Sequence, residues 1–439
     1  VDQTSTTPEA DLPTHPQDEE TGHVVVEAPA ADLARLAMHG LLFTALTFGL
    51  YRFWYVTRLR RYLWAHTRLG RSPFEFTGRP IDLIVGFLMA VAILLPLYLA
   101  LFIMSLGLSN GVIAANLGAL GLLWFLSQFG IYRARNYRLT RTVWRGLRFR
   151  QGGSGILYAI LSIIWFVIGL ASLGLLWPMR RRALYAYKVR NTFYGKQKAG
   201  FKASIWPLYH AGWPLFVGFC AVGLLGGWRL MAIWWQLPES LATANLIGLP
   251  PHDILLVELA SALPLGPLFW LVCWVSAAML ALLALFGPSY LSAETRHFTN
   301  ATTFGPVRLA SNLSSRSLAT VWSRYLLILV AFSAVYLAFG AALSGAFLSS
   351  DMPVGVLDDG GTRIWFFAIL FVFYCIGFMG YAVIHLLYLR FRLWQTIGNS
   401  VSLHPMQLVP DMQSGSGRAL RHRDGFGEGI ADALDAGGL

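Results

Sequence analysis

Eight arginines, Arg58, Arg61, Arg138, Arg141, Arg145, Arg181, Arg182 and Arg190, interleave with Tyr62, Trp64, Trp144, Tyr185 and Tyr187. Guanidinium groups set among aromatic rings make a surface suited to anionic lipid headgroups. The plainer reading is that these cations only fix the orientation of membrane helices. A second set of candidates is ionisable and lies in apolar runs: His39, Glu258 and His385. Such groups are costly in lipid, so each marks either satisfied polar packing or a functional position. Arg229, beside Trp228, Trp234 and Trp235, reads as an interface anchor.

Other chemistry is poorly provided for. Gly195-Lys196-Gln197-Lys198 has the wrong order and spacing for a phosphate loop, and no His-Glu-x-x-His zinc motif occurs. Gly425, Gly427 and Gly429 sit in a polar tail with no strand before them. Cys220, Cys273 and Cys375 lie in apolar runs without a CxxC spacing, and read as small buried side chains. No catalytic pair, cofactor or metal is expected, and the chain leans away from an enzyme.

These residues sit in a chain of 439 with a mean hydropathy of +0.55 and 13% charged residues. A soluble domain carries about 25%. The net charge is +12, but most Lys and Arg flank uncharged spans, which argues for a membrane and against nucleic acid. Eight segments approach the ~20 apolar residues that cross a bilayer: 36–51, 82–106, 112–131, 155–178, 208–236, 254–287, 322–349 and 363–389. They do not alternate as transmembrane strands would. Pro264 and Pro267 could break the helix over 254–287 and open a cavity. The acidic residues 1–32 read as a disordered tail without a cleavable signal. Residues 401–439 read as a mostly flexible cytoplasmic tail, and 33–400 form the membrane domain.

Charge orients the spans. Segment 52–79 holds seven Arg and one acid, 132–150 seven Arg and no acid, and 180–202 eight Lys or Arg and no acid. The loops 107–111, 237–253 and 350–362 hold no Lys or Arg. The positive-inside rule places the basic connectors in the cytoplasm. Segment 155–178 is basic at both ends, and 36–51 is short. Both end in Thr/Ser-x-Gly, as Thr47-Phe48-Gly49 and Ser172-Leu173-Gly174. Either both are re-entrant hairpins, which the charges favour, or the chain has eight spans with one violation.

The first and third junctions align without gaps. Gly49, Tyr62, His66, Thr67 and Gly70 have the spacing of Gly174, Tyr187, Asn191, Thr192 and Gly195. Fainter copies are His297, Thr302 and Gly305; Arg141-Thr142 with Gly146; and Thr396 with Gly398. At an Asn/His-Thr turn a side chain can bond backbone groups and Gly permits the reversal. Short alternating runs such as Phe74-Glu75-Phe76-Thr77 suggest small strands beneath the membrane.

The stretches Leu46–Trp54, Arg61–Thr67, Phe74–Gly78 and Tyr137–Phe149 resemble the YjgN-like inner-membrane proteins, a family of unknown function. The likeness covers most of 33–400 and implies a bacterial inner membrane, with no catalytic residues to carry over. The expected fold is all-α and integral to the membrane. It is a polytopic helical bundle with internal repeats, candidate re-entrant hairpins and short cytoplasmic strands. The expected function is a transporter or channel for a small solute or lipid, or else a membrane scaffold or assembly factor. The expected partners are anionic membrane lipids and unidentified proteins.

Overall fold

The computed structural model describes residues 22–107, 112–243, 265–348 and 360–405. Strand β1 (Gly22–Val26) opens it. Helices α1 (Ala30–Leu46) and α2 (Arg52–Ala65) follow, then strands β2 (Thr67–Leu69) and β3 (Ser72–Phe76). Next come α3 (Pro80–Gly107), α4 (Val112–Arg141), β4 (Thr142–Trp144) and β5 (Leu147–Gln151). Then α5 (Gly155–Ala171), α6 (Trp177–Arg190), β6 (Thr192–Tyr194) and β7 (Gln197–Phe201). Helices α7 (Trp206–Thr243) and α8 (Leu265–Asn300) lead to β8 (Thr302–Phe304) and β9 (Val307–Ser311). Last are α9 (Ser315–Leu348), α10 (Gly360–Ile384), a π-helix (His385–Phe391), α11 (Arg392–Asn399) and β10 (Val401–His404).

The ten strands close into one barrel, every neighbour antiparallel, with β1 paired to both β2 and β10. This overturns the all-α expectation. The strands are only three to five residues long, so no run of alternating residues is long enough to announce a sheet. Closure leaves no edge unpaired.

Strands are joined alternately by tight turns and by helical hairpins. The four tight turns hold two residues each: Gly70-Arg71, Arg145-Gly146, Gly195-Lys196 and Gly305-Pro306. Each has positive φ at its first residue, as primed hairpin turns require. Arg145 and Gly146 both take positive φ, the pattern of a type I′ turn. All turns therefore stand at one end of the barrel and all helices leave from the other.

Three helical hairpins are long: α3–α4, α7–α8 and α9–α10. Five stretches, Pro80–Ile103, Trp206–Trp235, Gly266–Asn300, Ser315–Ala342 and Ala368–Asn399, are apolar enough to cross a bilayer. The protein is thus a multi-pass membrane protein. Pro267 lies in the first turn of α8, where proline is tolerated; Pro264 lies outside the described residues.

The other two hairpins, α1–α2 and α5–α6, are short. A helix of 17 residues rises about 25 Å, less than the ~30 Å hydrocarbon core. Each pair leaves the barrel and returns to it on the same side. The sequence segments 36–51 and 155–178 are therefore each a helix plus its reversal, not one continuous helix. Their turns are built alike. Phe48 and Leu173 have positive φ, as do Gly49 and Gly174. The Gly49 amide donates to the Thr44 carbonyl at 2.7 Å, and that of Gly174 to Gly169 at 2.8 Å. The Thr47 hydroxyl donates to the Phe43 carbonyl at 2.6 Å and accepts from the Tyr51 amide at 2.9 Å. Ser172 does the same between Gly169 and Leu176. One hydroxyl thus ends one helix and starts the next. The apex side chains are apolar and exposed, led by Phe48 at 93%. Replacing Thr47 by valine should cost about 1 kcal/mol through the lost cap. Thermal melting of the detergent-solubilised variant checks this, and no change would show the cap to be idle.

The barrel interior is filled in two layers. Toward the turns lie Leu69, Trp144, Tyr194 and Val307, packed with Val24, Phe74, Phe149, Phe304 and Leu403. The Tyr194 hydroxyl donates to the Trp144 carbonyl at 3.1 Å. Burial raises its pKa to about 12, against a lowering by Arg145. A tyrosine whose folded pKa exceeds its unfolded value contributes stability below pH ~10 that is lost as pH rises toward 12. Alkaline melting curves should show this fall, and Tyr194→Phe should flatten it.

Candidate functional site

The second layer lies where the strands meet the helices. It consists of Thr67, Thr142, Thr192 and Thr302, all buried, opposite Val26, Phe76, Gln151 and Phe201. Each threonine follows a helix, and its hydroxyl donates to the carbonyl four residues back. The acceptors are Leu63 (2.7 Å), Arg138 (2.8 Å), Lys188 (2.8 Å) and Phe298 (2.8 Å). This satisfies carbonyls that a helix end leaves open.

Each hydroxyl also pairs with a side chain from the preceding helical hairpin. Trp64 on α2 donates to Thr142 at 2.9 Å, and Arg135 on α4 donates to Thr192 at 3.1 Å. Tyr185 on α6 lies toward Thr302, whose hydroxyl opposes the rise that burial gives the tyrosine's pKa. Trp394 on α11 closes the circle at Thr67, 3.1 Å away. The fifth place is held by Ser400, which meets Ser311 at 3.0 Å and donates to the Ile397 carbonyl. Four of the five helical hairpins are thereby tied to the next across the barrel mouth, and at the fifth place the link runs through Ser311 of β9.

Cations gather at this layer. Arg135 also bonds Gln151 at 2.9 Å and the Lys188 carbonyl at 3.4 Å. The Lys188 ammonium lies 5.7 Å from the centre of the Tyr158 ring. Burial pushes its pKa down to about 8, with Arg135, Arg181 and Arg138 adding to the effect and Glu294 opposing it. Arg181 pairs with buried Glu294 at 2.7 Å. Arg180 lies 4.6 Å from the centre of the Trp177 ring and donates to Ser162 at 3.4 Å. Asp82, at the start of α3, pairs with Arg141 at 2.8 Å.

The eight arginines read from the sequence do not form one patch. Arg138, Arg141 and Arg181 belong to the mouth. Arg145 stands at the opposite, turn end, over the Trp144 ring. Arg58 bonds Tyr51 at 2.8 Å and Arg61 bonds the Gly78 carbonyl at 2.7 Å. Arg182 and Arg190 line a groove along α6. Tyr62 donates to the Pro29 carbonyl and Tyr187 to that of Ser154. His66 and Asn191 each bond a carbonyl four residues back, at 2.8 Å. Gly70 and Gly195 occupy the tight turns. Thr396 and Gly398 fall within α11, not in a turn.

Among the apolar-run candidates, His39 is exposed on α1 and bonds the Arg35 carbonyl at 2.8 Å. Glu258 lies outside the described residues. His385 begins the π-helix, 3.2 Å from the Tyr325 hydroxyl and 3.1 Å from Arg390. Sequence reasoning missed Arg135, Lys188 and the acids Asp82 and Glu294 as site residues. Glu294 carried a signal, as the lone acid of a basic connector.

Long apolar hairpins hung from a small closed barrel define a class, a polytopic membrane protein with a β-barrel base. The family described as "Bacterial protein of unknown function (DUF898)" matches residues 23–331. The chain belongs to that family, the one its junction motifs resemble. Comparison with curated proteins and with solved structures finds no match.

Proposed function

We propose that the protein is a transporter or channel for a small anionic solute or lipid in a bacterial inner membrane. The carrying observation is the cationic mouth: Arg135, Arg138 and Lys188 converge where the helices meet the barrel, and Glu294 is already engaged by Arg181. Cations held in a desolvated place favour an anion there. On this reading the basic connectors and the barrel are cytoplasmic, and the two short hairpins enter the near leaflet and return.

The test is flux in proteoliposomes, using inorganic phosphate, small carboxylates and a fluorescent anionic phospholipid as probes. The protein should accelerate at least one, and Arg135→Gln or Lys188→Gln should slow it by about tenfold, the weight of one charge-assisted contact. No acceleration of any probe would remove this reading. A scaffold or assembly factor is the second reading. It is favoured by exposed Arg68, Arg148, Arg150, Lys198 and Arg308 around the barrel wall, a surface fit for an acidic protein. Stoichiometric co-purification of another membrane protein, lost on reversing these charges, would support it.

A further inference from the structure

Helix α6 has two working faces. Tyr185, Lys188 and Arg181 face the mouth. On the other side Met179, Arg182, Ala183, Ala186, Tyr187 and Arg190 recur at intervals of one, three and four and line a groove of about 550 Å³. That volume is in the range of sites for small organic ligands, ~300–1,000 Å³. Leu161 and Trp165 of α5 form a second wall, and Phe201 and Ala203 lie at the barrel end.

The lining is mostly apolar with two guanidinium groups and no carboxylate. Arg190 touches the Phe201 carbonyl at 3.4 Å, which fixes it beside the barrel. Arg182 is exposed and forms no ion pair among the described residues. Arg182 and Arg190 are about 12 Å apart along the helix, with Ala183 and Ala186 between them leaving space beside the Tyr187 ring. At the other end Met179 and Trp165 lie toward the α5–α6 turn, whose exposed apex carries Leu170, Leu173 and Leu175. One end of the groove therefore suits hydrocarbon and the other a compact anion.

We infer that the groove between α5, α6 and the end of β7 holds one anionic phospholipid of the surrounding bilayer. Its phosphate lies over Ala186 between Arg182 and Arg190, and one acyl chain runs along Leu161, Trp165 and Met179. Two guanidinium groups facing a phosphate give charge-assisted contacts that a zwitterionic lipid satisfies less well. The inference does not require transport, since the groove lies on the face of α6 turned away from Arg135 and Lys188.

The experiment is native mass spectrometry of the full chain released from nanodiscs of equal phosphatidylglycerol and phosphatidylcholine. The wild type should retain one phosphatidylglycerol. Arg182→Gln with Arg190→Gln should reduce the preference by about tenfold. Ala186→Trp, which fills the floor and keeps both charges, should release lipid of either kind. Equal retention of the two lipids by the wild type would overturn the inference. So would undiminished preference in Ala186→Trp, or displacement of the lipid by millimolar inorganic phosphate. If the arginine variant does not fold, Ala186→Trp alone decides. Lys188→Gln should leave retention unchanged, so loss of flux there and loss of lipid here are separate results.

Discussion

Replacing Trp144 by alanine is expected to destabilise the whole membrane domain by about 3–5 kcal/mol. Trp144 is 2% exposed at the centre of the turn-side layer. Its ring lies 6.0 Å from that of Phe74 and 5.7 Å from that of Tyr194, and its indole nitrogen donates to the Ser72 carbonyl at 3.2 Å. Truncation leaves a void that strands of three to five residues cannot close. It also leaves the Ser72 carbonyl without its donor. Every helical hairpin starts and ends on a barrel strand, so the loss should appear as one earlier cooperative transition. Intrinsic fluorescence and size-exclusion melting should move together. A local effect would leave the elution profile unchanged while only fluorescence shifts.

Replacing Asp82 by alanine should cost a comparable amount, about 3–5 kcal/mol, because it leaves Arg141 charged in a largely closed place. The carboxylate side chain is 5% exposed and the guanidinium 13%. The pair joins the first turn of α3 to the last of α4, where both helices meet the barrel. The Thr77 amide and hydroxyl also bond the Arg141 carbonyl, at 2.9 and 3.1 Å, so the residue is held from both sides. The double replacement Asp82→Leu with Arg141→Met should recover much of the loss, since an apolar pair needs no partner. Melting the single and double variants side by side checks this. A double variant no better than the single would mean that Asp82 acts through something other than the pair.

The sequence disclosed the membrane class plainly, because in a run such as Pro80–Ile103 every residue after Asp82 is uncharged and the stretch is apolar on every face beyond its first turn. It also marked where the two short hairpins turn, though not that the basic stretches after them are their second helices, since Thr47 and Ser172 each carry out both a helix end and a helix start, which leaves a visible Thr/Ser-x-Gly. The junction threonines were visible as spacing. Their joint role was not, because Trp394 meets Thr67 across 327 residues and Asn399 meets the Val26 amide across 373. Pairing so distant leaves no local pattern. The barrel escaped for a further reason. Thr142-Val143-Trp144 is buried at all three positions, so inward and outward residues do not differ in polarity. The cationic mouth was hidden likewise. Nothing local separates Arg135, turned to Thr192, from exposed Arg58.

Closure of the barrel between the first and last strands carries the whole account, and one cross-link tests it directly. His23 and Ser402 are register partners on β1 and β10. Antiparallel partners have Cα atoms ~4.5–5.5 Å apart, within disulfide range. With Cys220, Cys273 and Cys375 changed to serine, His23→Cys and Ser402→Cys should oxidise to a disulfide in native membranes. A protease site placed within 244–264 would then yield fragments that separate only after reduction. The control pair His23→Cys with Ala310→Cys, one strand further round, should stay reduced. No cross-link in the partnered pair, or equal cross-linking in both, would contradict a closed barrel.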